Sequence, residues 1–309
     1  MTRVAVFGAG AVGSYLGSRF AAAGADVHLV ARGAFLEALR TNGLTVVAPD
    51  GTSTNMPVQA TDDPGSIGPV DYVVFGVKSY DTEAAAPRLL PLLGPETAVL
   101  SFQNGIDNEA KVAAAVGDDR VIGAAIYILA AIQAPGVIRS GAARMVVGEL
   151  RPARPSERTL RLVELAKAGG VAASAVEDIR IAKWEKYVLL VAFSAVTAAT
   201  QLTVGDVRRS KAASAMLRAV MQEAWSVGRA IGVPLGDDLV ERQHALVLAQ
   251  ADNEGTSLRH DLLTGHRMEL EALQGTLSRL GRETGVPTPW TDAAYAVLEP
   301  WAIRNAAGA

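Results

Sequence analysis

Three glycines near the start of the chain have the spacing of a dinucleotide-binding loop. Gly8, Gly10 and Gly13 follow an apolar run and precede a helical pattern. In this context the first glycine permits a tight turn, the second lets the backbone approach a diphosphate, and the third allows close packing of helix on strand. An ordinary strand–helix turn is the alternative. The expected contacts with the cofactor are Gly8, Gly10, Ala11, Val12 and Gly13.

The residue after the second predicted strand favours NADP over NAD. An NAD site places an acidic residue at the end of that strand, about 20 residues after the glycines, where it binds the ribose 2′-hydroxyl. Here the strand 26–31 is followed by Arg32, and Asp26 lies at its other end. A guanidinium group can pair bidentately with a 2′-phosphate. We therefore expect Arg32 to bind NADP, with a solvated surface charge as the alternative.

Polar residues follow two further predicted strands. Lys78 comes directly after the strand 71–77, and Asn104 closely follows the strand 97–102. Because the carboxyl ends of parallel strands lie at one edge of a sheet, we expect both side chains near the nicotinamide end of the cofactor and the substrate. Taken singly, a lysine is usually solvated and an Asn-Gly pair usually forms a turn.

The second half of the chain contains candidate proton donors. Lys183 and Lys186 compete for this role, because a lysine that opens an apolar helix is partly desolvated and is then suited to proton transfer. Lys186, Leu190, Ser194 and Ala198 follow one another at intervals of four and share one face of the predicted helix. The small side chains on this face leave room for a ligand.

Two polar residues nearer the C-terminus complete the candidate set. Ser257 and Glu269 belong to the segment "NEGTSLRHDLLTGHRMELEALQG". Glu269 opens an apolar-periodic helix, where capping of the helix dipole is the alternative to a functional role. His260 and His266 lack an obvious metal-ligand spacing, so we expect no metal site.

Alternating strands and helices in the first half of the chain must position the glycines and the strand-end residues. The β-branched runs that predict strands lie at residues 3–8, 26–31, 71–77, 97–102 and 120–127. Helical patterns separate them, and this alternation predicts an α/β fold with a Rossmann-type, doubly wound parallel sheet. Two further β-like pieces, 136–140 and 144–150, are expected to form a meander or hairpin at the sheet edge.

The pattern changes after residue 175. Long helical stretches follow without a convincing strand, and glycine and proline punctuate them. We therefore predict an NADP-binding Rossmann-like domain over residues 1–175 and an all-α substrate and dimerisation domain over residues 176–309.

Composition narrows the classes of function. The 309 residues are 50% hydrophobic and 20% charged, which is typical of globular proteins. A net charge of -3 gives no reason to expect nucleic acid or an anionic membrane as a partner. The absence of cysteine excludes disulfides and thiolate chemistry. No targeting segment is visible and the longest apolar run is too short to span a membrane, so we expect a cytoplasmic protein.

The motifs together resemble the ketopantoate reductase family, the 2-dehydropantoate 2-reductases. In chain order they are "VFGAGAVGSYLG", "VKSYD", "QNGI", "KWEK" and "TSLRHDLLTGHRMELEALQG", and they extend over almost the whole sequence. The resemblance implies a two-domain NADPH enzyme, often a dimer, that reduces a 2-oxo acid to a 2-hydroxy acid. The leading substrate is 2-dehydropantoate, which would place the protein in pantothenate biosynthesis.

The resemblance also implies roles for single residues. Lys186 matches the general acid that protonates the ketone oxygen, and Glu269 matches the glutamate that supports the substrate and this lysine. Ser257 matches a substrate hydrogen-bond donor. Lys78 and Asn104 match residues beside the nicotinamide and the substrate. The arginine expected at the 2′-phosphate matches its counterpart in the family as well.

Two positions depart from the pattern of the family. Members usually carry asparagine four and eight residues after the catalytic lysine, where this chain has Leu190 and Ser194. We expect both residues to line the substrate site, and leucine there leaves an apolar wall without donors or acceptors. A D-2-hydroxyacid dehydrogenase, or another ketone reductase with a more apolar substrate, is therefore an alternative. A non-catalytic NADP-binding sensor is the alternative from another class.

Overall fold

The computed structural model describes residues 1–308, which divide into two compact units. The first unit contains residues 1–103 and 108–179, and the second contains residues 104–107 and the chain from residue 180 onward. The change after Ile179 comes a few residues later than the expected boundary at residue 175. The short segment 104–107 belongs to the second unit, which the sequence pattern does not predict.

Strands and short helices form the first unit. In chain order its strands are β1 (Arg3–Phe7), β2 (Asp26–Val30), β3 (Leu44–Val47), β4 (Ser53–Met56), β5 (Gln59–Thr61), β6 (Val70–Phe75), β7 (Leu93–Ser101), β8 (Val121–Tyr127), β9 (Ala130–Ala134), β10 (Val137–Ser140), β11 (Arg144–Glu149) and β12 (Ala172–Ala175). Its helices are α1 (Ala11–Ala22), α2 (Gly33–Asn42), α3 (Thr82–Ala85), α4 (Asn108–Val116) and α5 (Glu157–Ala168).

The larger of two sheets has the predicted α/β architecture. Its eight strands lie in the order β12-β11-β8-β7-β6-β1-β2-β5, and neighbours are parallel except for the antiparallel pair β8 and β11. One buried apolar cluster includes α1 and α5, and another includes α3 and α4. Helices on both faces explain why the central strands are nearly continuous apolar runs. The prediction of a Rossmann-type, doubly wound sheet is confirmed.

The strand order of the larger sheet reverses at β1. The chain passes from β1 to β2 on one side and later returns to β6 on the other side. Ligands of open α/β sheets bind beyond the carboxyl ends of the strands at such a switch point. Just past these ends, the Gly76 amide donates a hydrogen bond to the Phe7 carbonyl oxygen at 2.9 Å. The loops that carry the glycines and Lys78 are therefore neighbours.

The predicted hairpin of residues 136–140 and 144–150 is wrong, because the two segments belong to different sheets. Residues 136–140 and 144–150 do not pair, because β10 lies in a sheet of order β4-β3-β10-β9 whereas β11 pairs with β8. Gly136, with φ of +73°, makes the turn between β9 and β10. Ile138 is fully buried in the apolar cluster that includes α1, which fixes β10 in the smaller sheet.

One of the helical patterns that separate the predicted strands, residues 81–94, forms only a short and irregular helix. The α-helical part α3 ends at Ala85, and a 3₁₀ segment continues from Ala86 to Leu92. Pro87 and Pro91 lie in this segment and have no amide hydrogen, so an α-helical ladder cannot be completed there.

Helices form the second unit. They are α6 (Ile179–Thr200), α7 (Val204–Arg209), α8 (Lys211–Ala230), α9 (Leu239–Leu248), α10 (Ser257–Thr264), α11 (Thr276–Thr284) and α12 (Pro289–Ala307). A single turn of π-helix, Glu271–Gly275, precedes α11 and is called the π turn below. The α6 helix contributes most of its length to the apolar core of the unit. Within residues 1–308, no helix combines the length and apolar character needed to cross a membrane.

Glu269 does not open a regular α-helix as the sequence pattern predicts. It lies just before the π turn, and α-helical geometry begins only at Thr276. Side chains of the π turn and of α6 bond to each other's backbone, as described below. Contacts of this kind can outweigh the helical preference of the local sequence.

Candidate active site

The three glycines of the predicted loop have different surroundings. Gly8 has φ of +96°, and a Cβ there would lie 2.7 Å from the Val77 nitrogen. At Gly13 a Cβ would lie 2.5 Å from the Gly8 carbonyl oxygen. At Gly10 a Cβ would meet none of the described atoms within 4 Å. The packing of the protein itself thus requires the first and third glycines, whereas Gly10 borders open space that can admit a ligand.

Helix α1 begins at this loop and points its N-terminus at the open space. Gly10 is the N-cap residue and supplies no side-chain cap, and the first turn contains no acidic residue. The amides of Ala11, Val12 and Gly13 start the helix and have no intrahelical carbonyl partner, so they carry partial positive charge. This arrangement can hold the diphosphate of a dinucleotide.

Arg32 lies at the same edge of the larger sheet as the glycine loop. It follows β2, is exposed, and is the N-cap residue of α2. Asp26 begins β2 at the opposite end, where it accepts hydrogen bonds from Arg3 at 3.3 Å and from Gln59 at 2.8 Å. The acidic residue of this strand is therefore hydrogen-bonded at the end of the strand that lies far from the glycine loop. A guanidinium group at the loop end suits a phosphate better than a ribose hydroxyl.

Lys78 follows β6 in a loop that is hydrogen-bonded to Gln103, just after the end of β7. The Gln103 amide donates to the Val77 carbonyl oxygen at 2.8 Å and to Thr82 Oγ1 at 2.7 Å. Thr82 Oγ1 donates in turn to Asn108 Oδ1 at 3.0 Å. These three side chains are buried, so their hydrogen bonds fix the loop at Lys78. Sequence reasoning missed them, and their only signal is a polar residue at the end of an apolar strand.

Lys186 and Asn104 come together in the second unit. Lys186 Nζ donates to Asn104 Oδ1 at 3.0 Å across 82 positions of sequence. Lys183, the competing lysine, lies one helical turn earlier and is only 8% exposed. The Asn104 amide oxygen holds the Lys186 ammonium group at a defined position. This contact keeps Lys186 as a candidate for the proton donor.

The π turn is fastened to α6 beside Lys186. The Tyr187 hydroxyl donates to the Leu273 carbonyl oxygen at 2.6 Å, and burial raises the pKa of Tyr187 well above its ordinary value. The Gln274 amide donates to the Val191 carbonyl oxygen at 2.8 Å. Glu269 is buried just before this turn, so the same contacts support its position. Single π turns occur frequently at functional sites.

The two departures from the family pattern have different surroundings. Leu190 is half-buried and packs against the apolar core of the unit. Ser194 is fully buried; its hydroxyl donates to the Val191 carbonyl oxygen at 3.2 Å and accepts from Gln274 Nε2 at 2.9 Å. Sequence reasoning missed Gln274, because nothing in the sequence signals a contact across 80 positions.

The remaining candidates belong to α10 or follow it, and the residue before α10, Thr256, has its Oγ1 3.1 Å from Thr197 Oγ1 of α6. Ser257 is exposed at the first position of α10, and the preceding Thr256 caps that helix. The rings of His260 and His266 are 6.2 Å apart. Within residues 1–308, no group of three or more His, Asp or Glu side chains is arranged to hold a metal ion.

Comparison with known proteins identifies the family. The model of the ketopantoate reductase PanE/ApbA family matches residues 4–152, and the model of its C-terminal region matches residues 178–301. The chain belongs to the ketopantoate reductase family. It is therefore an oxidoreductase, and the resemblance stated from the sequence is confirmed.

Individual members of the ketopantoate reductase family resemble the chain over its full length. A 2-dehydropantoate 2-reductase of Mesorhizobium japonicum is 33% identical over 98% of this chain and 98% of its own. The crystal structure of a family member from Ralstonia eutropha JMP134 is 31% identical, covers 99% of this chain and 100% of its own, and superposes with a TM-score of 0.91. A ternary structure of D-mandelate dehydrogenase with NADH and anilino(oxo)acetate shares the fold, with a TM-score of 0.90, 99% coverage of both chains and 18% identity.

Proposed function

We propose that this protein uses NADPH to reduce a 2-oxo acid to a 2-hydroxy acid, with 2-dehydropantoate as the leading substrate. The observation that carries the proposal is the hydrogen bond from Lys186 Nζ to Asn104 Oδ1, within the second unit. It holds a cation and its proton at a defined atom, which carbonyl reduction requires. The names of several relatives, such as the 2-dehydropantoate 2-reductase of Mesorhizobium japonicum, support the choice of substrate.

The residues of the chain fit NADPH as the cofactor. The open space at Gly10 and the amides at the start of α1 suit its diphosphate, and Arg32 suits its 2′-phosphate. Lys78, in its braced loop, is proposed to lie near the nicotinamide. When bound, NADPH supplies the hydride that the carbonyl carbon accepts.

Lys186 performs the acid chemistry in this proposal. Its positive charge stabilises the negative charge that develops on the ketone oxygen, and it then gives up a proton to form the alcohol. Asn104 positions the ammonium group and also contacts the substrate. Glu269 supports the lysine and the substrate, and Ser257 supplies a hydrogen bond to the substrate. A proton from solvent restores Lys186, so one proton is consumed for each ketone reduced.

Leu190 favours one alternative substrate class. Its side chain offers only apolar contact where the family has an amide, which suits an aliphatic or aromatic tail. A D-2-hydroxyacid dehydrogenase with such a substrate is the second candidate. The fold that the chain shares with D-mandelate dehydrogenase supports keeping this second candidate.

A substrate panel tests the proposal. Purified protein is mixed with NADPH and either 2-dehydropantoate or one of several aliphatic and aromatic 2-oxo acids, and oxidation of the nicotinamide is followed by absorbance. We expect the highest kcat/KM with 2-dehydropantoate. A higher value with an aromatic or long aliphatic 2-oxo acid would select the second candidate. NADPH binding by calorimetry without turnover of any 2-oxo acid would contradict both and leave a sensor protein.

The cofactor preference has its own prediction. Arg32→Ala removes a charge-assisted, bidentate contact with the 2′-phosphate, so the KM for NADPH should rise about 10- to 100-fold. The KM for NADH, which lacks that phosphate, should change little. Steady-state kinetics with both cofactors measure the difference. A wild-type protein that prefers NADH, with no effect of the substitution, would contradict the choice of NADP.

With 2-dehydropantoate as the substrate, the proposal includes a role in pantothenate biosynthesis.

We also propose that the protein forms a homodimer. Helix α12 exposes large apolar side chains that a second copy could cover, including Trp290, with 49% of its surface exposed, and Ile303, with 65%. Light scattering of the purified protein at several concentrations measures the mass. A monomer at all concentrations would contradict the dimer and leave the reaction untouched.

A further inference from the structure

Arg88 carries a positive charge that no carboxylate of residues 1–308 neutralises. It lies in the 3₁₀ segment that follows α3, and its side chain is exposed. Its Nη2 donates to the backbone carbonyl oxygen of Asp62 at 3.0 Å, and its Cζ lies 5.5 Å from the centre of the Phe7 ring. Both partners are uncharged groups. The charge of Arg88 and its remaining N–H donors are therefore available to an anion.

These two contacts place Arg88 at the carboxyl edge of the larger sheet. Phe7 ends β1, Asp62 directly follows β5, and β1 and β5 are the two neighbours of β2 in the sheet. At the end of β2, the Ala31 amide donates to the Thr61 carbonyl oxygen at 3.0 Å, so β2 and β5 end at the same level. Arg88 therefore lies beside the carboxyl end of β2.

The residues that follow β2 form an open corner of the surface with Arg88. Arg32 comes directly after Ala31, is exposed, and has no ion pair with any other part of the described chain. Gly33 has φ of +57°, and a Cβ there would meet none of the described atoms within 4 Å. Two cations at one accessible corner create a positive potential that favours an anion with more than one negative charge.

The carboxylates near this corner have other partners. Asp62 Oδ1 accepts from Arg40 Nη2 at 3.5 Å, and Arg40 also donates to Glu37 at 3.3 Å. Asp63 Oδ1 accepts from a backbone amide of its own turn at 2.9 Å. None of these three carboxylates forms an ion pair with either of the two arginines at the corner, so the corner can bind a further anion.

We propose that Arg88 is a second cation of the cofactor site, which binds the 2′-phosphate of NADP together with Arg32. The proposal rests on the NADPH of the proposed function. A phosphate monoester carries about two negative charges at neutral pH and offers three acceptor oxygens, which suits two guanidinium groups. Because the Asp62 carbonyl already holds one end of the Arg88 guanidinium group, less side-chain entropy is lost on binding. NADH lacks this phosphate, so Arg88 raises the preference for NADPH.

Two nucleotides that differ by one phosphate test the proposal without turnover. 2′,5′-ADP carries the 2′-phosphate of NADP, and 5′-AMP lacks it. Calorimetry with the full chain measures the Kd of each nucleotide. We expect the wild-type protein to bind 2′,5′-ADP more tightly than 5′-AMP. Arg88→Met should raise the Kd of 2′,5′-ADP about 10-fold, the effect of one charge-assisted contact, and that of 5′-AMP by less than about 2-fold. Arg88→Gln also removes the charge and should give the same result.

Arg120 provides a matched control in the same unit. Its Nη1 donates to a backbone carbonyl oxygen, that of Gly94, at 2.5 Å, and it has no ion pair within residues 1–308. It directly precedes β8, so it lies at the amino edge of the larger sheet, opposite the glycine loop. Arg120→Met should leave both dissociation constants unchanged. Circular dichroism and thermal unfolding check that each variant is folded.

Three results would overturn the proposal for Arg88. An unchanged Kd of 2′,5′-ADP in either Arg88 variant does so, and a wild-type preference for 2′,5′-ADP then leaves the choice of NADP standing. An equal loss of affinity for both nucleotides would place Arg88 at the adenosine or its 5′-phosphate instead. Equal affinity of the wild-type protein for the two nucleotides contradicts NADP as the cofactor and refutes this inference with it. Turnover of 2-oxo acids is measured separately, so the proposed reduction is tested on its own.

Discussion

The glycine loop of the first unit and the face of α6 in the second unit are built on different principles. In the loop, position is set by backbone geometry within a few residues, as the contacts of Gly8 and Gly13 demonstrate. At α6, position is set by side-chain hydrogen bonds between distant segments, such as Lys186 with Asn104 and Tyr187 with the Leu273 carbonyl. A loop of the first kind can be recognised from spacing alone. Helical spacing predicts which residues share the α6 face, but the distant hydrogen-bond partners of that face become visible only in the folded chain.

The largest expected effect of a substitution lies on the α6 face. Lys186→Met removes the cation that we propose stabilises the developing alkoxide, so kcat should fall by about 10²- to 10⁴-fold. NADPH affinity should be unaffected if the two regions have separate tasks. Stopped-flow rates and calorimetry measure the two quantities. Lys183→Met is the control, and a larger loss of kcat in that variant would reverse the choice between the lysines.

Alanine substitutions in the glycine loop should separate folding from binding. At Gly13 the new Cβ would press against the Gly8 carbonyl oxygen, so Gly13→Ala should lower the free energy of unfolding by about 1–3 kcal/mol. At Gly10 no described atom is within 4 Å of the new Cβ, so Gly10→Ala should leave the free energy of unfolding nearly unchanged. The methyl group would occupy the ligand space and weaken NADPH binding at least about 10-fold, or about 1.4 kcal/mol.

Urea unfolding and calorimetry on both glycine variants measure these effects. A destabilised Gly10→Ala protein, or one that binds NADPH as tightly as the wild type, would contradict the distinction between the two glycines.

The smallest effects concern the support of the π turn. Tyr187→Phe removes the buried hydroxyl that donates to the Leu273 carbonyl oxygen, which keeps the Thr276 amide as a donor, and should lower the free energy of unfolding by about 1–1.5 kcal/mol. Tyr295→Phe removes a hydroxyl that donates to Glu271, also in the π turn, but at a more exposed position. That loss should stay below about 1 kcal/mol because solvent competes for the carboxylate. Urea unfolding of the two variants measures both, and equal losses would contradict the dependence on burial.

The Tyr295 pair also has a defined pH dependence. The hydrogen bond to Glu271 raises the pKa of Tyr295 well above its ordinary value. A raised pKa in the folded state contributes stability that is present below the unfolded-state pKa, about 10, and is lost as the pH rises through the folded-state pKa. The stability difference between wild type and Tyr295→Phe should therefore be constant from neutral pH to about pH 10 and change above it.

Much of the fold could be predicted from the sequence, and the exceptions have physical causes. The central strands of the larger sheet are buried on both faces and therefore form apolar, β-branched runs. The smaller sheet was not predicted, because strands such as β4, with sequence STNM, are short and largely exposed and so lack an apolar pattern. The hairpin expected from residues 136–150 was wrong because each strand finds a different partner through tertiary contacts that local sequence does not encode.

The candidate site could be predicted only in part. The positions of Gly8, Gly10 and Gly13 follow from local turn geometry, and their placement before α1 agrees with that expectation. Its place after a predicted strand pointed to Asn104, and the resemblance to a family selected Lys186 from the two candidate lysines. Gln103 and Gln274 were missed, because a buried amide has no periodicity and its partners lie far away in sequence.

The proposed reduction requires both the glycine loop, for the cofactor, and the α6 face, for the proton. Its most direct measurement uses NADPH deuterated at the transferable position of the nicotinamide, with 2-dehydropantoate and the wild-type protein. Mass spectrometry of the product should find a 2-hydroxy acid that carries one deuterium on the carbon of the new alcohol for each NADPH oxidised. A product without that deuterium, or NADPH oxidation without a 2-hydroxy acid, would contradict the account.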